Sequence, residues 1–519
     1  MWPVDEMYTE LLYEGKGWSM SRKTSVKMGT SDDMLQEETI VVRSAGLDTS
    51  NGTGKRASKN ERKPRRRKPR RRTELGLLLL STLISTALYI LLLSSTGSVS
   101  GSGPLPVRSI ALFAAVVLVL SLMAHVVNRI LAPDSSPVFL PMIALLSGIG
   151  YVMIDRLDPH EAAQQVVWTF VGIVLYAVTL YFVKRSRDLD RYRYLLLLLA
   201  VVLILSPLMP VIGENIYGER LWIHLGPITG QPIEGAKILL CIFFASYFSE
   251  KQEMLRIPTL RVGNRLIPSP APLGPILAAW AFSMLVLAVE HDVGFAVLLF
   301  AFFIAMFWLA TGHWRWILFG TGIFAVGFFV GIRILPQVQE RMSVWLHPFS
   351  HAQTTGYQIV QGLYGMGTGG LIGTGLGLGH PGFIPFASTD MIFSAIGEEM
   401  GLLGTTVIVV AFLFFLGAGL QAAQRARSDF SKLLSAGLTT ILILQAFFIM
   451  GGITRLFPLT GITLPFVAYG GSSLVANYVL VAVLVRISDE GNRPSMVREA
   501  TMHAVIIREH DTDSETAHV

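Results

Sequence analysis

Twelve apolar runs, most of them near the roughly 20 residues a helix needs to cross a bilayer, constrain this chain more than any other feature. They fall at Leu75–Ser94, Ile110–Ile130, Val138–Ile154, Val166–Val183, Tyr194–Ile212, Ala236–Phe248, Leu273–Val289, Val293–Thr311, Trp316–Leu335, Met400–Ala422, Leu433–Gly452 and Leu464–Ile487. Hydrocarbon offers no partner to a backbone N–H or C=O, so such runs must satisfy themselves as helices. Only 15% of the 519 residues are charged, against about 25% in soluble domains, which excludes a soluble globular enzyme. The expected fold is an all-α polytopic membrane protein of about twelve transmembrane helices. The sixth run is short and predicts a broken or tilted helix.

Charge sets the orientation. Lys55–Arg72 carries twelve basic residues and one acid; without it the chain is net acidic, so no nucleic-acid partner is implied. Residues 1–72 show no apolar period and read as a disordered cytoplasmic arm, with no cleavable leader at the start. Pro64 and Pro69 keep its basic end from forming a regular helix. That end reads as a positive-inside stop, with an anionic-lipid contact as the alternative. Three loops share its side: Lys184, Arg185, Arg187, Arg191 and Arg193; Lys251, Arg256, Arg261 and Arg265; Arg425, Arg427 and Lys432. An even number of runs then puts both termini in the cytoplasm. The chain divides into the arm (1–72), a helix pair (73–136), a membrane core (137–488) and a disordered tail (489–519). Within the core, residues 336–388 form a long outer loop, rich in glycine and aromatics and expected to be ordered. The single cysteine, Cys241, excludes an intramolecular disulfide and a cysteine-based zinc site.

Ionisable residues at membrane depth mark candidate sites. Glu290, His291 and Asp292 occupy a tight connection between two runs, a functional group or a solvated turn. Ahead of the sixth run stand Arg220, Trp222 and His224, then Glu234 and Lys237, which can pair across one helical turn or face an outer cavity. The long loop contributes His347 and His351, Tyr357 and Gln358, and a glycine run from 365 to 379 that permits close backbone approach. Two histidines alone make a poor metal site. Thr389 and Asp390, followed by Glu398 and Glu399, form a further polar group that can instead cap a helix. The closing stretch Pro458-Leu459-Thr460-Gly461 to Tyr469-Gly470-Gly471-Ser472-Ser473 places small residues within a run, for close packing or for a break lining a cavity. These residues alone fit a membrane transferase or a transporter.

Taken in order, Gln231-Pro232-x-Glu234-x-x-Lys237, Asp292-Val293-Gly294, Gly356-Tyr357-Gln358, Ile384-Pro385 with Thr389-Asp390-x-Ile392-Phe393, Glu398-Glu399-x-Gly401 and the closing stretch resemble the SEDS family, the shape, elongation, division and sporulation group of the RodA and FtsW type. The resemblance spans Pro141 to Ser488 and implies a ten-helix core. The helix pair before it is similar to that of actinobacterial members. It also implies a function. The chain would polymerise lipid II, the undecaprenyl-pyrophosphate-linked glycan, at the outer face of a bacterial plasma membrane, beside a class B penicillin-binding protein that cross-links the strands. Glu234 and Lys237 would lie in an outer cavity, and a divalent cation (magnesium or manganese) is the cofactor that the resemblance implies there. Arg220, Trp222, Tyr357, Gln358, Thr389, Glu398, Glu399, Ser472 and Ser473 would bind substrate.

Two positions depart from the family pattern. The residue six before Tyr357, where the family has its essential aspartate, is His351, and Met391 replaces the family's aromatic. The only acid between Arg333 and Asp390 is Glu340, so sliding the register recovers no aspartate. Histidine can serve as a base near neutral pH but is a poor ligand for hard cations. Three expectations follow: His351 is the catalytic base, Asp292 or Asp390 takes that role, or the chain is a silent scaffold.

Overall fold

The computed structural model of the protein describes residues 70–493 apart from 101–105, 211, 217–218, 227, 257, 263–264 and 269–273; the basic arm to residue 69 and the tail from 494 lie outside them. The helices are α1 (Arg70–Ser100), α2 (Val107–Leu131), α3 (Phe139–Leu157), α4 (Pro159–Phe182), the short α5 (Asp188–Arg191), α6 (Arg193–Leu205), α7 (Ile233–Arg256), α8 (Gly274–Glu290), α9 (Val293–Thr311), α10 (Arg315–Ile334), α11 (Pro336–Leu346), α12 (Tyr357–Gly369), α13 (Ile392–Arg425), α14 (Asp429–Ile453) and α15 (Gly471–Asn492). Strands β1 (Gly213–Ile216), β2 (Glu219–Leu225) and β3 (Ile228–Gly230) form an antiparallel sheet before α7, and β4 (Pro258–Val262) pairs with β5 (Arg265–Pro268) after it. This three-stranded sheet and the β4–β5 hairpin are the additions to an otherwise helical membrane fold among the described residues.

Each predicted run falls at least in large part on a helix. Among the described residues nine helices are long and apolar enough to cross a membrane; α6 and α8 are shorter apolar helices. The short sixth run belongs to a 24-residue helix, α7. Its apolar stretch looks short because Glu234 and Lys237 sit in its first turns and Glu250, Lys251 and Glu253 near its end. At the far end of the chain, α15 runs past Ile487 to Asn492.

The N-terminal pair is built into the core. Ser81 of α1 donates to the Pro141 carbonyl of α3 at 3.1 Å, and a side chain at Gly148 would collide with Ser85, the close approach that small residues permit between membrane helices. At the end where the arm enters, Glu74 is wholly buried and lies 2.8 Å from His125 Nδ1 of α2. Arg71 donates to the Pro133 carbonyl at 3.0 Å and to Ser135 Oγ at 2.6 Å. Buried Arg486 of α15 donates to the carbonyls of Leu131 at 2.9 Å and Val183 at 2.7 Å, capping the last turns of α2 and α4 where carbonyls lack helical partners.

Two breaks shape the other side of the molecule. Within α13, Gly401 adopts φ 64° and ψ −162°, a region open essentially to glycine alone. The break leaves the N–H groups of Leu402 and Leu403 without helical partners; Gly370 O and Leu371 O of the glycine loop accept them at 3.0 and 3.2 Å. Gly401→Ala is expected to destabilise the protein by about 1–3 kcal/mol from backbone strain alone. Its new methyl would also meet the Gly373 backbone. Thermal unfolding of the purified variant measures the loss.

The second break is the non-helical segment 458–470, where the sequence predicts the start of a transmembrane run at Leu464. The helix begins only at Gly471, and other elements take up the free backbone. Gln445 of α14 donates to Thr463 O at 2.9 Å and Gln165 of α4 to Ala468 O at 3.1 Å. Arg341 of α11 donates to Leu459 O and Thr460 O at 3.2 and 3.1 Å. Non-helical backbone at membrane depth is tolerated where protein partners surround it in this way.

Candidate functional site

The innermost polar cluster centres on Lys237, which is wholly buried. It forms an ion pair with Glu234 one turn earlier on α7, and Glu favours this helix start through the dipole. Lys237 Nζ also donates to Gln445 Oε1 of α14 at 2.7 Å and to Asn477 Oδ1 of α15 at 3.4 Å. Asn477 in turn donates to Ser473 Oγ at 3.3 Å. Of the two expectations for this pair, the structure shows the ion pair across one helical turn; both side chains are buried at the junction of three helices, and neither lines the apolar cavity between α9, α10 and α11. Sequence reasoning missed Gln445 and Asn477, although an amide inside an apolar run is itself a signal.

A second cluster orders the glycine loop. Arg156, at the end of α3, donates to Glu399 Oε1 and to Gly379 O, each at 3.2 Å. Gly377 N–H donates to Glu399 Oε2 at 2.9 Å and His380 N–H to Glu398 Oε1 at 2.7 Å. Each glutamate thus gives one oxygen to loop backbone, and Glu399 gives its other to Arg156, a loop-ordering role that the sequence leaves open beside substrate binding.

His351 sits in the short turn Pro348–His351 after α11, half-buried. Its Nε2 is 2.9 Å from Ser343 Oγ, and its carbonyl accepts the N–H groups of Thr354 and Gly356, each at 3.0 Å. His347 is the C-cap of α11, so the two histidines do not share one helix face. Tyr357 opens α12 partly exposed, and the buried Gln358 Nε2 has no hydrogen-bond partner among the described residues. Asp292 caps α9, its Oδ1 accepting Phe295 N–H at 2.9 Å. His291 beside it takes φ 66°, and Glu290 is 1% exposed. Thr389 and Asp390 occupy the turn before α13, where Phe386 O accepts Thr389 N–H at 3.2 Å. Met391 is fully buried; any side chain at Gly362 of α12 would meet it. Arg220 is exposed on β2 and Trp222 half-buried beside it.

Segment 458–470 links several of these groups. Tyr469 N–H donates to Ser388 O at 2.8 Å, joining the Asp390 turn. Gly294, two residues after Asp292, packs so tightly on Thr460 O that no side chain fits. Tyr469 hydrogen-bonds Gln164. Ser472 and Ser473 follow in the first turn of α15.

Beside this hub lies a cavity of about 510 Å³ between α9, α10 and α11, within the size range of small-molecule sites. Val297, Phe300, Ile304, Phe324 and Trp345 give it apolar walls, while Arg341 and Thr460 supply a polar end. Thr460 Oγ1 is buried with no partner among the described residues. Among the described residues no three His, Cys, Asp or Glu side chains come close enough to hold a metal ion.

Comparison with known proteins agrees with the family that the motifs indicate. The family model of FtsW, RodA and SpoVE cell cycle proteins matches residues 135–493. The peptidoglycan glycosyltransferase RodA of Mycobacterium bovis is 42% identical over 386 residues, 72% of this chain and 82% of its own length. Stage V sporulation protein E of Bacillus subtilis is 33% identical over 297 residues, 57% of this chain and 78% of its own. Among solved structures, a chain of a peptidoglycan synthase complex that coordinates polymerization and crosslinking superposes with a TM-score of 0.57 at 24% identity, covering 68% of this chain and 97% of that one. RodA of Thermus thermophilus, a rod shape determining protein, gives 0.50 at 22% identity, covering 68% and 96%; at these identities the likeness shows the fold. The helix pair α1–α2 precedes the matched region, and Glu234, Lys237, His351 and the 458–470 hub lie within it. This multi-pass membrane protein belongs to the FtsW/RodA/SpoVE family.

Proposed function

We propose that this chain is a peptidoglycan glycosyltransferase that polymerises lipid II. The observation that carries the reading is the apolar cavity with Arg341 and Thr460 at its polar end, which suits a substrate made of an isoprenoid chain and a pyrophosphate. The glycosyltransferase names of the relatives support the same activity. The positive-inside pattern makes the loop side the outer face and leaves both termini in the cytoplasm.

The reaction is attack of a sugar 4-hydroxyl on an anomeric carbon, with undecaprenyl pyrophosphate leaving. It needs a base for the hydroxyl proton and positive charge for the departing diphosphate. In this reading Arg341 receives the pyrophosphate, His351 takes the proton, and Gln358 offers its free amide to the glycan. Asp292 and Asp390 are the alternative bases. Lys237 and Glu234 hold the junction of α7, α14 and α15 beneath. A class B penicillin-binding protein is the partner in this reading, by analogy with the complex that couples polymerization to crosslinking.

The test is incubation of the purified protein, alone and with a candidate class B penicillin-binding protein, with labelled lipid II, resolving glycan strands on a gel. Strands are expected. Flipping of lipid II in liposomes without strands would instead indicate a transporter. Binding without either activity would indicate a scaffold, the second reading, which the histidine at position 351 and its hydrogen bond to Ser343 favour. Arg341→Ala is expected to raise KM for lipid II about tenfold or more with a smaller effect on kcat, since a hydrogen bond to a charged group contributes about 1.5–3 kcal/mol.

A further inference from the structure

The glycine loop after α12 carries two aliphatic side chains that no described residue covers: Leu371 is 70% and Ile372 77% exposed. They do not stand on a free loop. The carbonyls of Gly370 and Leu371 accept the N–H groups of Leu402 and Leu403, and Gly373 N–H donates to Gly369 O at 2.8 Å. The tip is therefore stitched, residue beside residue, to the broken turn of α13. This fixes its depth. Leu402 and Leu403 are themselves 56% and 63% exposed, and the same surface of α13 continues through exposed Val407, Val410, Leu413 and Phe414. In a multi-pass membrane protein, a continuous aliphatic surface along a spanning helix is its lipid face.

We propose that Leu371 and Ile372 are inserted among the acyl chains of the adjacent leaflet, anchoring the glycine loop in the bilayer. The partner is lipid hydrocarbon: the tip carries no charged residue from Gly365 to Gly379, and the carbonyls of Gly369, Gly370 and Leu371 are already bonded to protein N–H groups, which lowers the cost of placing them beside lipid. The anchor also bears on the candidate site, because the same loop supplies the Gly377 and His380 N–H groups that hold Glu399 and Glu398. The inference is independent of the catalytic reading.

Cys241 is wholly buried, so a cysteine introduced at the surface is the one that labels. Ile372→Cys and Leu371→Cys, with Leu413→Cys as a lipid-face control and Thr354→Cys as an exposed loop control, would each be labelled with a fluorophore in detergent. The full-length proteins would then be reconstituted into phosphatidylcholine liposomes. Phosphatidylcholine spin-labelled high on the acyl chain is expected to quench probes at 371 and 372 several-fold more than the probe at 354, as at 413, with aqueous iodide giving the reverse order. Iodide quenching at 371 and 372 equal to that at 354 would put the tip in water and overturn the proposal. Shielding from both quenchers would also overturn it, showing the tip covered by protein.

Discussion

Lys237→Met is expected to abolish glycan-strand synthesis and to lower stability by about 3–5 kcal/mol, the usual cost of leaving one partner of a buried ion pair behind. Glu234 would remain at 1% exposure without its cation, and Gln445 and Asn477 would lose the donor that joins them. Loss of activity in this variant alone does not separate a chemical role from collapse of the helix junction. The double variant Glu234→Gln/Lys237→Met does. It removes both charges and is expected to recover most of the lost stability, since a buried pair replaced by neutral groups is often near neutral in cost. Strand synthesis should return with it, since Lys237 is buried at the junction and does not line the cavity. Thermal unfolding and lipid II polymerisation, measured on the same preparations, give the two readouts. Strands from the double variant would show that Lys237 acts only by holding α7, α14 and α15 together.

Removal of the His351 imidazole is the other large effect. His351→Ala is expected to lower the polymerisation rate by about 10²- to 10⁴-fold, the ordinary contribution of a positioned base, with little change in thermal stability, because the side chain is half-buried and its imidazole loses a single hydrogen bond, to Ser343, among the described residues. His351→Asp is expected to keep activity. An aspartate ionises at lower pH than a histidine, so the acid limb of its pH–rate profile should move to lower pH, a change that a merely structural role would not produce. Strands from His351→Asp but none from the wild type would mean that the site is otherwise competent and its base has been removed, and the scaffold reading would replace the polymerase.

The contrast between these two residues shows how far the sequence reaches. For Lys237, the helix start, the spacing to Glu234 and the pairing across one turn are local, and they are legible from Gln231 to Lys237. Its other partners are not: Gln445 lies 208 residues away and Asn477 240. For His351 the family pattern marks the position, but only the fold shows that its imidazole meets Ser343.

The sequence by itself determined the class of molecule. Charge depletion, twelve apolar runs and the loop bias required a helical multi-pass membrane protein, and the ordered motifs indicated its family. Only the tertiary structure decided where those helices break. Leu464–Gly470 is as apolar as the helix that follows, so hydropathy runs on through it, yet the segment is non-helical. Gln165, Gln445 and Arg341 satisfy its backbone, and Gly294 lets α9 approach it. Likewise Gly401 interrupts α13 because the glycine loop supplies the missing acceptors. Apolarity is a property of each residue and its neighbours, so a sequence displays it. Satisfaction of backbone and charge in a medium without water depends on partners brought from elsewhere in the chain, and those exist only in the fold.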